Sequence, residues 1–155
     1  MKMLAGVIFA MLSAGMQQAS APPVRMGLWQ LNTTTAIQMP EMPQMAAHPQ
    51  TMQAKVCMTP ETWRETLGEG TQNMKTCQHT NDKLTATHYS FDIVCPAIGG
   101  TGHGEIDFTQ DEAHGTVHME ASPGGHHFVV DSTVQSRFVS AACGDVKPGQ
   151  AQSGQ

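Results

Sequence analysis

The side chains of this 155-residue chain that could do chemistry are imidazoles, carboxylates, thioethers and thiols. There are eight histidines, and His103, His114, His118, His126 and His127 fall in one short stretch. His103, Glu120 and His127, with Glu105 and His118 one row along, make a candidate half-shell for a metal ion. Imidazole with carboxylate suits zinc, copper(II) or nickel(II). Met39, Met42 and Met45 recur every third residue, with His48 and Met52 beyond, and such soft thioethers select copper(I). The bland readings are a solvated strand face and an apolar flap, since methionine fills irregular gaps. No compact ligand motif such as H-E-x-x-H occurs. His114 and His118 lie four apart on a strand, too far to chelate alone.

Catalytic signatures are missing. There is no G-x-S-x-G elbow. Gly100-x-Gly102-x-Gly104 has no following helix and no P-loop lysine, so it reads as a turn into a strand. His103-Gly104-Glu105 has the H-x-E of the zinc deaminases without their P-C-x-x-C. The expectation is a protein that is not an enzyme.

Cys57, Cys77, Cys95 and Cys143 contain no C-x-x-C pair. An even count in an exported chain reads as two disulfides. Three connectivities are open to four cysteines. Closure of a short loop and pinning of the C-terminal end favour Cys57–Cys77 with Cys95–Cys143.

Export is read from the first 21 residues. Lys2 is followed by the uncharged run 3–12, and Ala19-Ser20-Ala21 is a small-x-small cleavage pattern. The run is too short to span a bilayer. The expected location is periplasmic or extracellular, and not integral to a membrane once the leader is removed. The net charge is -5, with only eight Lys and Arg. That argues against nucleic acid, which needs clustered cations.

The elements that would position these groups are mostly strands. Residues 26–37 are Thr-rich with Trp29, Leu31, Thr33, Thr35 and Ile37 on one side. Residues 39–53 hold Pro40, Pro43 and Pro49 and read as a long loop. Thr59-Pro60-Glu61 opens the one expected helix, with Trp63 and Leu67 on its buried side and Gly68 and Gly70 ending it. Further strands are expected near 74–80, 84–95, 102–110, 113–121 and 126–139. The tail 144–155, rich in Gly and Gln, reads as disordered.

Turns at Asn81–Lys83, 96–101, Asp111-Glu112 and Pro123-Gly124 set the expected register. It places Tyr89, Phe91, Ile93, Ile106, Phe108, Val117, Met119, Phe128, Val130 and Val134 on one face. The other face then carries His88, Asp92, His103, Glu105, Asp107, His114, His118, Glu120, His127 and Asp131. On it His103 is expected opposite Glu120, Glu120 opposite His127, and Glu105 opposite His118. The fold class is mainly β: an antiparallel meander over 22–143, able to curve into a half-barrel or small barrel, with one short α-helix.

Gly27-Leu28-Trp29, the Met-Pro segment, Cys57-Met58-Thr59-Pro60, Cys77, Cys95, the Gly100-Thr101-Gly102 turn and Cys143 follow one another in an order that resembles the exported bacterial family known as domain of unknown function 3617. The resemblance covers roughly 26–144. It differs in Met58, where many members have Leu, and in Gln30, where Glu is usual. It implies an envelope protein and transfers no catalytic or binding residue.

Two functions follow as expectations. One is an envelope binding or structural accessory protein that takes copper or zinc or meets an envelope partner. The other binds a small apolar ligand in a lipocalin-like cavity lined by Trp29, Phe91, Phe108, Met119 and Phe128, with the Met loop as lid.

Overall fold

In a computed structural model of the chain, residues 24–42, 47–63, 66 and 77–154 are described. The expected leader, 1–21, lies outside them. Eight strands form one antiparallel sheet: β1 (Gly27–Gln38), β2 (Ala47–Met58), β3 (Gln78–Leu84), β4 (His88–Cys95), β5 (Gly100–Phe108), β6 (Glu112–Ala121), β7 (Phe128–Ser140) and β8 (Ala151–Ser153). The spatial order is β3-β4-β5-β6-β7-β1-β2-β8, and the ends do not meet, so the sheet is open and not a barrel. No described helix is long and apolar enough to cross a membrane.

The alternation of apolar and polar residues assigns the faces. Tyr89, Phe91, Ile93, Ile106, Phe108 and Met119 are buried together with Trp29, Leu31, Val56 and Met58. Val117, Phe128, Val130 and Val134 pack at the margin of this core. Trp63 covers it, standing edge-on to Tyr89 at 5.3 Å between ring centroids. Every expected inner residue is therefore on the inner face.

The register itself differs from the expectation, by two residues at each of three turns. The β5–β6 turn centres on Gln110-Asp111, because the Thr109 hydroxyl accepts hydrogen bonds from the Asp111 and Glu112 amides at 3.4 and 3.1 Å. A threonine whose side chain closes its own turn fixes the turn one residue early. The β4–β5 loop is Pro96–Gly99, closed by Gly99 in the left-handed conformation (φ 58°). The β6–β7 loop turns at Gly124 and Gly125, both at positive φ. A shift of two preserves the face of every side chain and changes only its opposite number. Asn81–Lys83 is likewise no turn. Asn81 bulges inside β3, where pairing with β4 skips between Thr80 and Lys83.

Two further expectations are corrected, and a third falls mostly outside the described residues. Residues 47–53 belong to β2 and not to a loop. Pro49 is tolerated because pairing with β1 is irregular beside it and, among the described residues, β8 pairs only with Ala54–Val56 on the other side. Of the expected helix, the described residues hold one turn, in which the Thr66 amide donates to the Thr62 carbonyl at 2.9 Å; 64–65 and 67–76 are outside them. The segment after 144 is ordered: Val146 is buried, the Gly149 amide bonds the Cys57 carbonyl, and β8 pairs with β2.

The disulfides are Cys57–Cys143 and Cys77–Cys95, not the expected pairs. Gln78 pairs with Val94, so Cys77 comes opposite Cys95 in the continuing hairpin. After β7 the chain passes the start of β1 and is tied to β2. The glycines Gly102 and Gly104 lie in β5 and not in a turn into it. A Cβ on Gly104 would stand 2.3 Å from Phe91 Cζ, so the bare backbone there is the bed on which that ring lies.

Candidate functional site on the polar sheet face

The outer face of β4–β7 carries the titratable groups. The two-residue shift brings His103 directly opposite His118, Asp92 opposite His103, and Asp131 opposite His118. The result is a straight row across four strands, Asp92–His103–His118–Asp131. His103 Nδ1 lies 2.7 Å from Asp92 Oδ1, and His118 Nδ1 lies 2.7 Å from Asp131 Oδ1. An ionised carboxylate can only accept, so each Nδ1 carries the proton it donates. His103 Nε2 is 3.4 Å from Glu105 Oε1, and His118 Nε2 is 3.4 Å from Glu120 Oε1.

Amides terminate the row at both ends. Asn81 Nδ2 donates to Asp92 Oδ2 at 2.7 Å, and Gln38 Nε2 donates to Asp131 Oδ2 at 3.3 Å. The bulge at Asn81 is what brings that side chain to the Asp92 carboxylate. The arrangement is related to itself by a local two-fold axis through the sheet between His103 and His118. Glu105 follows His103 by two residues and Glu120 follows His118 by two, on antiparallel strands, so they flank the axis from opposite sides.

The electrostatics repeat as well. Hydrogen bonding to Asp92, and then to Glu105, raises the His103 imidazole above its ordinary 6.5 in spite of slight burial. Asp131, and then Glu120, raise His118. Asn81 first and His103 second hold the Asp92 carboxyl below 3.8. Both imidazoles are about half exposed.

The expected set is thus only partly assembled. His103 and His118 meet, and Glu105 and Glu120 each attach to one of them. Glu120 pairs with Val129, not His127, and Glu105 pairs with Thr116, not His118. His127 falls one row beyond, where its Nδ1 is 3.4 Å from Ser122 Oγ. Among the described residues no three His, Cys, Asp or Glu side chains converge as a ready-made metal sphere. Met39 and Met42 form one turn, closed by the Met42 amide on the Met39 carbonyl at 2.9 Å; Met45 lies outside the described residues. Asp92 and Asp131 were visible in the sequence as outward-facing, but their role needed the correct register. Asn81 and Gln38 carried no signal.

Beside the row is a shallow, open depression of about 290 Å³ bordered by Glu105, Asp107, His114, Thr116, Thr133 and Gln135. A further imidazole–carboxylate hydrogen bond, His88 Nδ1 to Asp107 Oδ1 at 2.8 Å, lies at its margin. On the inner face, the residues expected to line an apolar ligand cavity are packed into the core. The cavity beside Leu31, Met58 and Ile106 measures about 20 Å³, which is room for about one water.

The chain belongs to the family described as protein of unknown function DUF3617, whose model matches residues 23–143. No curated protein and no solved structure matches it.

Proposed function

We propose that this chain is an exported, non-catalytic accessory protein of the cell envelope that binds or scaffolds through its polar sheet face. The observation that carries the reading is the contrast between the two faces. One is a filled core closed by aromatic rings. The other is an exposed array of side chains held to one another across six strands, beside an open depression. Two disulfides and no free cysteine suit an oxidising compartment. No nucleophile–base pair or other catalytic constellation forms part of the reading.

The test is native mass spectrometry and metal analysis of protein purified from its own host without refolding. Its companion is a Thr116→Arg/Thr133→Arg variant, which fills the depression from two paired, exposed positions. The expected result is envelope-fraction protein with no alkylatable thiols and a polar or ionic companion that the variant loses. Cytosolic protein with free thiols overturns the reading. So does an apolar ligand that the variant keeps, which instead favours the lipocalin-like alternative.

A further inference from the structure

We propose that His103 and His118, with Glu105 and Glu120, form one two-fold-symmetric site for a divalent transition-metal ion of the zinc class. The inference rests on the reading of the polar face as the working surface and names what that surface holds.

The two nitrogens of each imidazole have different partners. Each Nδ1–H is committed to an aspartate at 2.7 Å. When the ring is neutral, that commitment leaves the lone pair on Nε2. An imidazole oriented by a carboxylate on its other nitrogen is the usual outer shell of a metal-binding histidine, because it fixes the tautomer and raises the basicity of the ligating atom. Here that shell is built twice. The aspartates are themselves held, by Asn81 on one side and Gln38 on the other.

Position supplies the second step. His103 and His118 are direct cross-strand partners, so their Cβ atoms are about 5 Å apart. Two rings at that spacing, on one face of two paired strands, can reach one ion. Glu105 and Glu120 lie 3.4 Å from the two Nε2 atoms, at the weak limit of a hydrogen bond. Each is placed to turn from its ring to a shared ion. Two imidazoles and two carboxylates are a suitable donor set for zinc.

Charge supplies the third step. With neutral rings, Asp92, Asp131, Glu105 and Glu120 gather four negative charges around the axis, and Lys83 offsets only the Asp92 end. A divalent ion on the axis relieves that repulsion. The four candidate ligands do not converge as they stand, so binding has to draw the two glutamates inward. His126 and His127 take no part.

The experiment is zinc titration of the metal-free, disulfide-intact protein by calorimetry, with zinc as the only ligand. Wild type is expected to bind one ion per chain. His103→Ala/His118→Ala should weaken binding at least about 100-fold, and His103→Gln/His118→Gln serves equally if the alanine pair fails to fold. Asp92→Asn/Asp131→Asn should weaken it about 10- to 100-fold, the usual cost of removing an outer shell. His126→Ala/His127→Ala should match wild type. No uptake by wild type, two independent ions per chain, or loss confined to the His126/His127 variant overturns the site. If zinc is ignored while Thr116→Arg/Thr133→Arg still strips a native companion, the metal site falls and the accessory reading stands. If zinc binds as described and no companion is lost, the reverse holds.

Discussion

His118 faces His103 across the β5–β6 pair, and the carboxylates that grip them, Asp131 and Asp92, lie on the two strands outside that pair. Both rings are therefore more basic when folded than when unfolded. A raised folded value means that the stabilisation is fully present below pH 6.5 and is lost as the pH climbs through the raised values. Urea midpoints measured across that window should fall on its alkaline side. In an NMR titration of the ring Hε1 signals, Asp92→Asn should return His103 toward 6.5 while His118 stays high. Equal movement of both rings, or of neither, contradicts the two-pair arrangement.

The disulfides differ in the length of chain they close. Cys57–Cys143 spans 86 residues and Cys77–Cys95 spans 18. Chain entropy assigns about 4.5 kcal/mol to the first and about 3 kcal/mol to the second. Replacing Cys57 and Cys143 together by Ser should lower the unfolding free energy more than replacing Cys77 and Cys95. Peptide mapping without reduction should recover the Cys57 and Cys143 peptides joined.

Gly104 is occupied from above by a phenyl ring. Gly104→Ala should push Phe91 off its bed and cost about 1–3 kcal/mol, the range for overpacked cores. The same substitution in a Phe91→Leu background should cost less, because the atom that clashes is absent. Denaturant unfolding of the four proteins in this cycle gives the coupling, and simple additivity would remove the ring from the account.

The C-terminal segment is part of the structure. Deleting residues 145–155 exposes the surface under Val146 and strips β8 from β2. Burial of one valine alone is worth about 1.5–3 kcal/mol. Limited proteolysis of the full chain should leave 144–154 intact under conditions that cut the truncated protein near Cys57.

The faces of the sheet were legible in the sequence because alternation is a parity signal. Tyr89, Phe91 and Ile93 go inward whatever their partners, and no error of two residues can turn them out. The row was not legible, because pairing depends on where each turn is pinned. That was decided by details such as the Thr109 hydroxyl and the left-handed Gly99. A shift of two at the β6–β7 turn moved Glu120 away from His127, and another at the β5–β6 turn set His118 in front of His103. The disulfide pairing was illegible for the same reason: loop length says nothing of the strand register that sets Cys77 beside Cys95. Pro49 carries the signature of a strand breaker in the sequence, and the edge position that tolerates it appears only when the neighbours of β2 are known.

β8 covers Ala54–Val56 alone, so β2 keeps an uncovered margin on that side among the described residues. Such a margin invites another molecule to add a strand of its own and start a filament. Pro49 offers no amide to that intruder, and the pairing irregularity beside it spoils a flat approach. The residue that looked like an interruption thus leaves the open margin of the sheet one donor short of a template for strand addition.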